Sequence, residues 1–227
     1  MISIVFENSH FVVCDKKSGV LSTPSRFEDN DARECLGTQL QEQLKIQIYP
    51  VHRLDFEVSG LVMYAKNADA HRKANSWFEK KQVQKTYRAL TTGQSFSHIP
   101  ANVPNPRLAI DLHLQQSFEW RCKILRGKKR AFESAQGKDS LTLAKYLGVN
   151  SKGYQIWDLQ PVTGRSHQLR FDLSRHGFPI VGDKLYGSSE RSSDENSIAL
   201  RAYKIDFSQA PGAAALGLPT VIDVTAL

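Results

Sequence analysis

Cysteine is scarce in this chain. The 227 residues hold 3, at Cys14, Cys35 and Cys122, odd in number, widely spread and without a CxxC pair. That pattern argues against a disulfide framework, and no zinc-ligand spacing joins the thiols to the histidines. The thiols read as reduced, as in a cytoplasmic protein. No apolar run approaches the ~20 residues that a membrane-spanning helix needs. The opening MISIVFENSHFVVCDKKSG has neither the basic start nor the sustained apolar stretch of a signal peptide. Internal repeats, low-complexity tails and proline- or glycine-rich linkers are also missing, so 1–227 reads as a single domain, or two closely joined halves.

What is present is an ordinary globular composition with a basic tilt. The chain is 41% hydrophobic, 9% aromatic and 23% charged, enough for a real core. Lysine and arginine outnumber the acids 30 to 23, a formal net charge of +7. This favours a polyanionic partner without requiring one.

Short strands are expected at 2–6 and 11–14, then a loop from Val20 and an acidic surface run at 28–34. A short helix fits 34–47. The apolar run Leu61–Ala65 predicts a buried strand. Asn67 can cap a following helix whose apolar face is Ala70, Ala74, Trp77 and Phe78. Lys85–Thr92 alternates and is rich in β-formers. The proline-bearing stretch Ser95–Asn105 and the serine-rich 188–197 read as loops. Residues 121–130 carry six cations in ten and read as a surface loop or a grip on a phosphate backbone. Strands are expected again at 154–159, 203–207 and 221–224. Ser166–Arg175 reads as a helix stopped by Gly177 and Pro179.

Chemistry concentrates in three segments. In Val51–Asn67, VHRLDFEVSGLVMYAKN, Asp55 sits in a polar turn just before the buried strand. A carboxylate there is costly unless it is paired or useful. As a plain turn residue it would bond nearby amides. The second segment is Lys85-Thr86-Tyr87, which alone would place a half-buried tyrosine on a strand. The third, PVTGRSHQLR from Pro161 to Arg170, packs two arginines, a histidine and a glutamine into six residues. A fourth, GFPIVGD…YG over 177–187, carries turn-forming glycines and a proline and reads as architecture.

In this order the segments resemble the RluA-type pseudouridine synthases, whose motifs are HRLDxxTSG, KxY, TGRxHQxR and GxPIxGDxxYG. The resemblance implies an α+β fold, a long, mostly antiparallel mixed sheet flanked by helices with a central active-site cleft. It implies an enzyme that isomerises uridine in structured RNA, rRNA or tRNA, after flipping the base. By the same resemblance Asp55 is the nucleophile, Tyr87 stacks on the target base, and Arg170 pairs with the aspartate to keep it ionised. Arg53 fills the space left by the flipped base. Leu169 packs beside that base, and Arg165 and His167 support the loop and the RNA backbone. The reaction has no net redox or hydrolytic step, so neither a cofactor nor a metal is expected, and a monomer is favoured. The strands starting at 2 suggest a compact member without an N-terminal S4 domain.

Three positions depart from the family pattern. Val58 stands where threonine is usual, Phe171-Asp172 where a VH-like pair is usual, and Leu200-Arg201-Ala202 where LHA is common. These departures motivate an alternative, a non-catalytic RNA-binding or RNA-folding factor on the same scaffold. A hydrolase built on His52 or His167 with Asp55 lacks a serine or cysteine nucleophile motif.

Overall fold

The computed structural model describes residues 2–25, 31–105, 107–192 and 194–227. Eleven strands and three α-helices are found among them. In chain order they are β1 (Ser3–Glu7), β2 (Phe11–Lys16), α1 (Leu36–Leu44), β3 (Tyr49–Pro50), β4 (Ser59–Ala65), α2 (Ala68–Glu79) and β5 (Gln84–Thr91). Then come β6 (Ser117–Arg126), β7 (Ala131–Glu133), β8 (Lys138–Val149), β9 (Gln155–Pro161), α3 (Gln168–Arg175), β10 (Leu200–Asp206) and β11 (Val221–Asp223). The class is α+β. The chain divides into two compact units, Met1–Lys85 with Ala202–Ala226, and Thr86–Arg201 with Leu227.

In the first unit the strand order is β1-β2-β4-β10, with β3 on β4 and β11 on β10. β2 and β4 run antiparallel from Phe11↔Ala65 to Lys16↔Gly60. α2 begins where the sequence places its cap: the Asn67 side chain accepts from the Ala70 amide at 2.9 Å. Its apolar stripe, Ala70, Ala74 and Trp77, buries against Phe11, Val13, Leu61, Met63 and Ile205. Gly60 shows why this strand begins with SG. Its φ is +113°, and a Cβ there would stand 2.1 Å from the Ala202 carbonyl oxygen on β10. Only glycine lets the two backbones approach this closely.

In the second unit the order is β5-β9-β8-β6-β7, every neighbouring pair antiparallel. The core forms around Trp157, which is fully buried. Phe178, Tyr146 and Trp120 surround it with ring centroids 5.0, 5.3 and 5.7 Å away. The Trp157 indole N–H finds its acceptor in the Thr91 hydroxyl at 3.1 Å.

Several sequence expectations need correction. The basic run 121–130 is not a loop. Its first six residues belong to β6, where Arg121 and Lys123 are exposed and Ile124 is buried, and its last four turn the β6–β7 hairpin. β6, β7 and β8 are all additions to the sequence reading. α1 is shorter than 34–47, and α3 starts at Gln168 rather than Ser166. Of the acidic run, Glu28 to Asn30 lie outside the described residues, and Asp31 is bridged by Arg33 at 2.6 Å.

Candidate active-site residues

In the first unit the Asp55 turn is clamped from three sides. Val58 N–H donates to the Asp55 carbonyl at 3.1 Å, closing a β-turn over Phe56 and Glu57. Just before it, the Ser22 hydroxyl accepts from the Leu54 amide at 3.0 Å and donates to the Leu54 carbonyl at 3.1 Å. Tyr64 fixes Ser22 in turn, its hydroxyl donating to the Ser22 carbonyl at 2.7 Å. Leu54 and Val58 are buried on either side of a half-buried Asp55, and Arg53 is exposed. The valine at position 58 fills an apolar site, only 2% exposed.

Lys16 holds the turn from inside. It is 1% exposed, and its ammonium donates to the carbonyls of Lys17, Val20 and Phe56 at 2.9, 2.8 and 3.3 Å. Burial lowers its pKa to about 8, against the opposing pull of the Asp55 and Glu57 carboxylates. A charge at the end of β2 thus senses the charge of Asp55. No sequence signal marked this lysine apart from its neighbours. His52 serves the scaffold. Its Nε2 accepts from the Met63 amide at 3.3 Å and its ring stacks on Phe78 at 5.1 Å. Burial holds it neutral, its pKa well below the usual histidine range.

In the second unit Tyr87 is buried on β5, opposite Leu159 of β9. The TGRSHQLR segment leaves β9 and turns into α3. Gln168 organises that turn. Its side-chain oxygen accepts from the Arg165 amide at 3.0 Å and the Thr163 hydroxyl at 2.8 Å, and its amide nitrogen donates to Leu141 O and Thr142 Oγ1 at 3.0 and 2.9 Å. Arg165 Nε donates to the Asp139 carbonyl at 2.9 Å, so this arginine braces the turn against β8. His167 sits at φ +55°, and its Nδ1 meets the Tyr186 hydroxyl at 3.1 Å. Leu169 is 7% exposed.

Arg170 is 2% exposed and makes a two-point pair with Asp183. Nε donates to Oδ2 at 2.7 Å and Nη2 to Oδ1 at 2.8 Å. The guanidinium also lies over the Tyr186 ring, 5.3 Å from its centroid. The segment 177–187 therefore does more than turn the chain, because it supplies the carboxylate that neutralises and aims Arg170. Two residues beyond Arg170, Asp172 is fully buried. It accepts from Thr142 Oγ1 at 2.7 Å and from the Cys122 thiol at 3.7 Å. Burial raises its pKa to about 6, with the Thr142 bond and the Arg175 charge opposing.

Each unit thus presents a fixed polar segment: a clamped carboxylate turn in the first, and a charge-neutralised arginine behind a braced turn in the second. No group of three or more metal-ligating side chains is found among the described residues.

Known proteins resemble the chain over most of its length. The family described as RNA pseudouridylate synthase matches residues 10–175. The chain is 32% identical over 206 residues to the dual-specificity RNA pseudouridine synthase RluA of Vibrio vulnificus, covering 90% of this chain and 76% of that protein. It is 32% identical over 214 residues to the ribosomal large subunit pseudouridine synthase D of Borreliella burgdorferi, covering 91% of this chain and 61% of that one. Among solved structures it resembles human RNA pseudouridylate synthase domain containing 1, at TM-score 0.66 and 26% identity over 92% of this chain and 79% of that one. Human RNA pseudouridylate synthase domain containing 4 shares the fold at TM-score 0.67 and 18% identity, over 99% of this chain and 88% of that one.

Proposed function

The chain belongs to the RNA pseudouridylate synthase family, of the RluA type, and from that membership we propose that it converts specific uridines of a folded rRNA or tRNA, with Asp55 as nucleophile. Enzymes of this family are isomerases acting on RNA. The reaction breaks the bond from N1 of uracil to C1′ of ribose, turns the base, joins C5 to C1′, and exchanges the proton lost from C5 for one gained at N1. Atoms and electrons balance without an external reductant, oxidant or water.

In the proposed mechanism the target uridine leaves its helix at a cost of about a few kcal/mol, and Arg53 takes the vacated space. Tyr87 and Leu169 hold the detached uracil by stacking and packing, so that it turns without escaping. Asp55 attacks as the carboxylate, and the guanidinium of Arg170 pairs with it and fixes its direction. Arg165 and His167 keep the turn before Arg170 in place. The fixed Asp55 turn carries this reading: a nucleophile must be aimed, and Ser22, itself fixed by Tyr64, holds Leu54 before it while Lys16 holds Phe56 after it. The three free cysteines support a cytoplasmic place of work.

The test is a pseudouridine map of total RNA from cells with and without the gene, with rescue by wild type and by Asp55→Ala. Loss of a defined rRNA or tRNA site, restored by wild type alone, is the expected result. If no site is lost while the purified protein binds RNA regardless of Asp55, the protein is an RNA-folding factor and the proposal fails.

A further inference from the structure

A groove of about 930 Å³ lies within the second unit, beside α3. It is of a size to take a nucleotide. Its walls come from the loop around 98–105, the β6–β7 hairpin, α3 and the turn at 184–187. Each wall is tied down. Asn105 Nδ2 donates to the Arg175 carbonyl at 2.9 Å, and His98 Nε2 meets Ser174 Oγ at 3.0 Å. The hairpin is pinned where the Ala131 amide donates to the Tyr186 hydroxyl at 2.7 Å.

The lining combines apolar surface with cations. Ile99, Val103, Phe132, Phe171 and Leu185 give the apolar part, and Phe132 is 43% exposed, far more than a core phenylalanine. Arg130, Arg175 and Lys184 give the charge. Arg175 lies over the Phe171 ring at 5.9 Å, and its Nη1 is buried without a hydrogen-bond partner, only approaching Glu133 at 3.5 Å. At the lip, the hairpin tip exposes Lys128, Lys129 and Arg130. It is closed by Gly127 N–H to Arg130 O at 3.0 Å and by Arg126 Nη1 to the Lys129 carbonyl at 2.6 Å. Cations outnumber the lone groove carboxylate of Glu133, and the free faces are aromatic. Proteins hold unpaired nucleic acid with this combination: bases stack on rings, and phosphates meet lysine and arginine.

We propose that this groove binds an unpaired stretch of the RNA substrate beside the nucleotide that reacts. A base stacks on Phe132, and Arg130 and Lys184 hold the flanking phosphates. The proposal rests on the RNA-modifying reading above and assigns that RNA a second holding point. It gives the cationic hairpin a role as the rim of a binding groove.

The test measures binding of full-length protein to a short oligouridylate over a salt series. A fully paired duplex of equal length serves for comparison. Phe132→Ala is expected to weaken oligouridylate binding roughly tenfold, with Phe132→Tyr close to wild type. Arg130→Ala with Lys184→Ala is expected to reduce the slope of log K against log salt by about 1.4, two phosphate contacts at the single-strand value. Arg72→Ala, an exposed charge on α2, is expected to change neither. Unchanged affinity in Phe132→Ala together with an unchanged salt slope in the double variant overturns the proposal. So does polyglutamate displacing oligouridylate from the wild type at lower concentration, since the groove would then suit an acidic protein segment. Pseudouridine formation by the same wild-type preparation on rRNA and tRNA is scored separately, so failure of the groove and failure of the enzymatic reading are told apart.

Discussion

Asp183→Asn is the sharpest probe of how Arg170 is held. Asparagine keeps the shape of aspartate but removes its charge and puts an NH2 where one carboxylate oxygen accepted from Arg170. One of the two bonds, at 2.7 and 2.8 Å, becomes a donor facing a donor, and a guanidinium 2% exposed loses the charge of Asp183. Breaking a buried pair from one side costs about 3–5 kcal/mol, most of it from the stranded charge. Against a typical domain stability of about 5–15 kcal/mol, that is a large share. The exposed pair Arg72–Asp69 is the control, at 2.9 Å with both side chains more than three-quarters exposed. Urea unfolding followed by tryptophan fluorescence should show a large drop in midpoint for Asp183→Asn and none for Arg72→Ala. The slope of the transition should be unchanged if both variants start from the same native state. A loss below about 1 kcal/mol in Asp183→Asn, or an equal loss in Arg72→Ala, would refute the claim that desolvation of Arg170 makes the pair matter.

Other perturbations follow from the same geometry. Asp172 has its pKa raised to about 6 by burial, so the folded state binds more protons than the unfolded chain between about 4 and 6. The Asp172 contribution to stability should therefore fall as pH rises through that window, by about 3 kcal/mol at one pKa unit per 1.36 kcal/mol. Buried His52 and His176, with lowered pKa values, act with the opposite sign, so the Asp172 contribution is read as the difference between wild type and Asp172→Asn in urea titrations at pH 4 and pH 7. Lys16→Met removes the ammonium from three carbonyls under the Asp55 turn; Phe56 O keeps the Gly19 N–H at 2.9 Å, while Lys17 O and Val20 O lose this donor, at about 1–3 kcal/mol for each acceptor left dry. The expected result is a lower melting temperature and a pseudouridylation rate that falls at saturating RNA. Gly60→Ala puts a methyl into the Ala202 carbonyl, and soluble expression should fail.

The fold was legible where the residues in the core are apolar and hidden where they are not. α2 announces itself through Asn67 and the Ala70–Ala74–Trp77 spacing, and β4 through five apolar residues in a row. β8 does not. Its inward positions include Ser140 and Thr142, both buried, which would read as loop residues in isolation. Thr142 tolerates burial because Gln168 and Asp172 supply its partners from α3, about thirty residues later, and Ser140 because its hydroxyl donates to the Cys122 carbonyl on β6. β6 hides for a related reason. Its alternation is of arginine and lysine with cysteine and isoleucine, and charge density masks the period-two pattern.

The candidate site divides along the same line. Asp55, Tyr87, Arg165, His167, Leu169 and Arg170 stand in contiguous motifs, so a resemblance can name them. The groups that aim them are scattered. Asp183 lies 13 residues beyond its arginine and Lys16 lies 39 before its aspartate, each inside a stretch that reads as an ordinary turn or strand end. A side chain that acts on a distant charge needs only the right position after folding, and leaves no local period or spacing in the chain. The motif residues should therefore lose catalysis when replaced. Asp183 and Lys16 should lose stability first and carry catalysis down with it. Measuring rate and unfolding midpoint on the same variants separates the two groups: a variant of Asp183 that keeps its midpoint yet loses turnover would move that carboxylate from scaffold to chemistry.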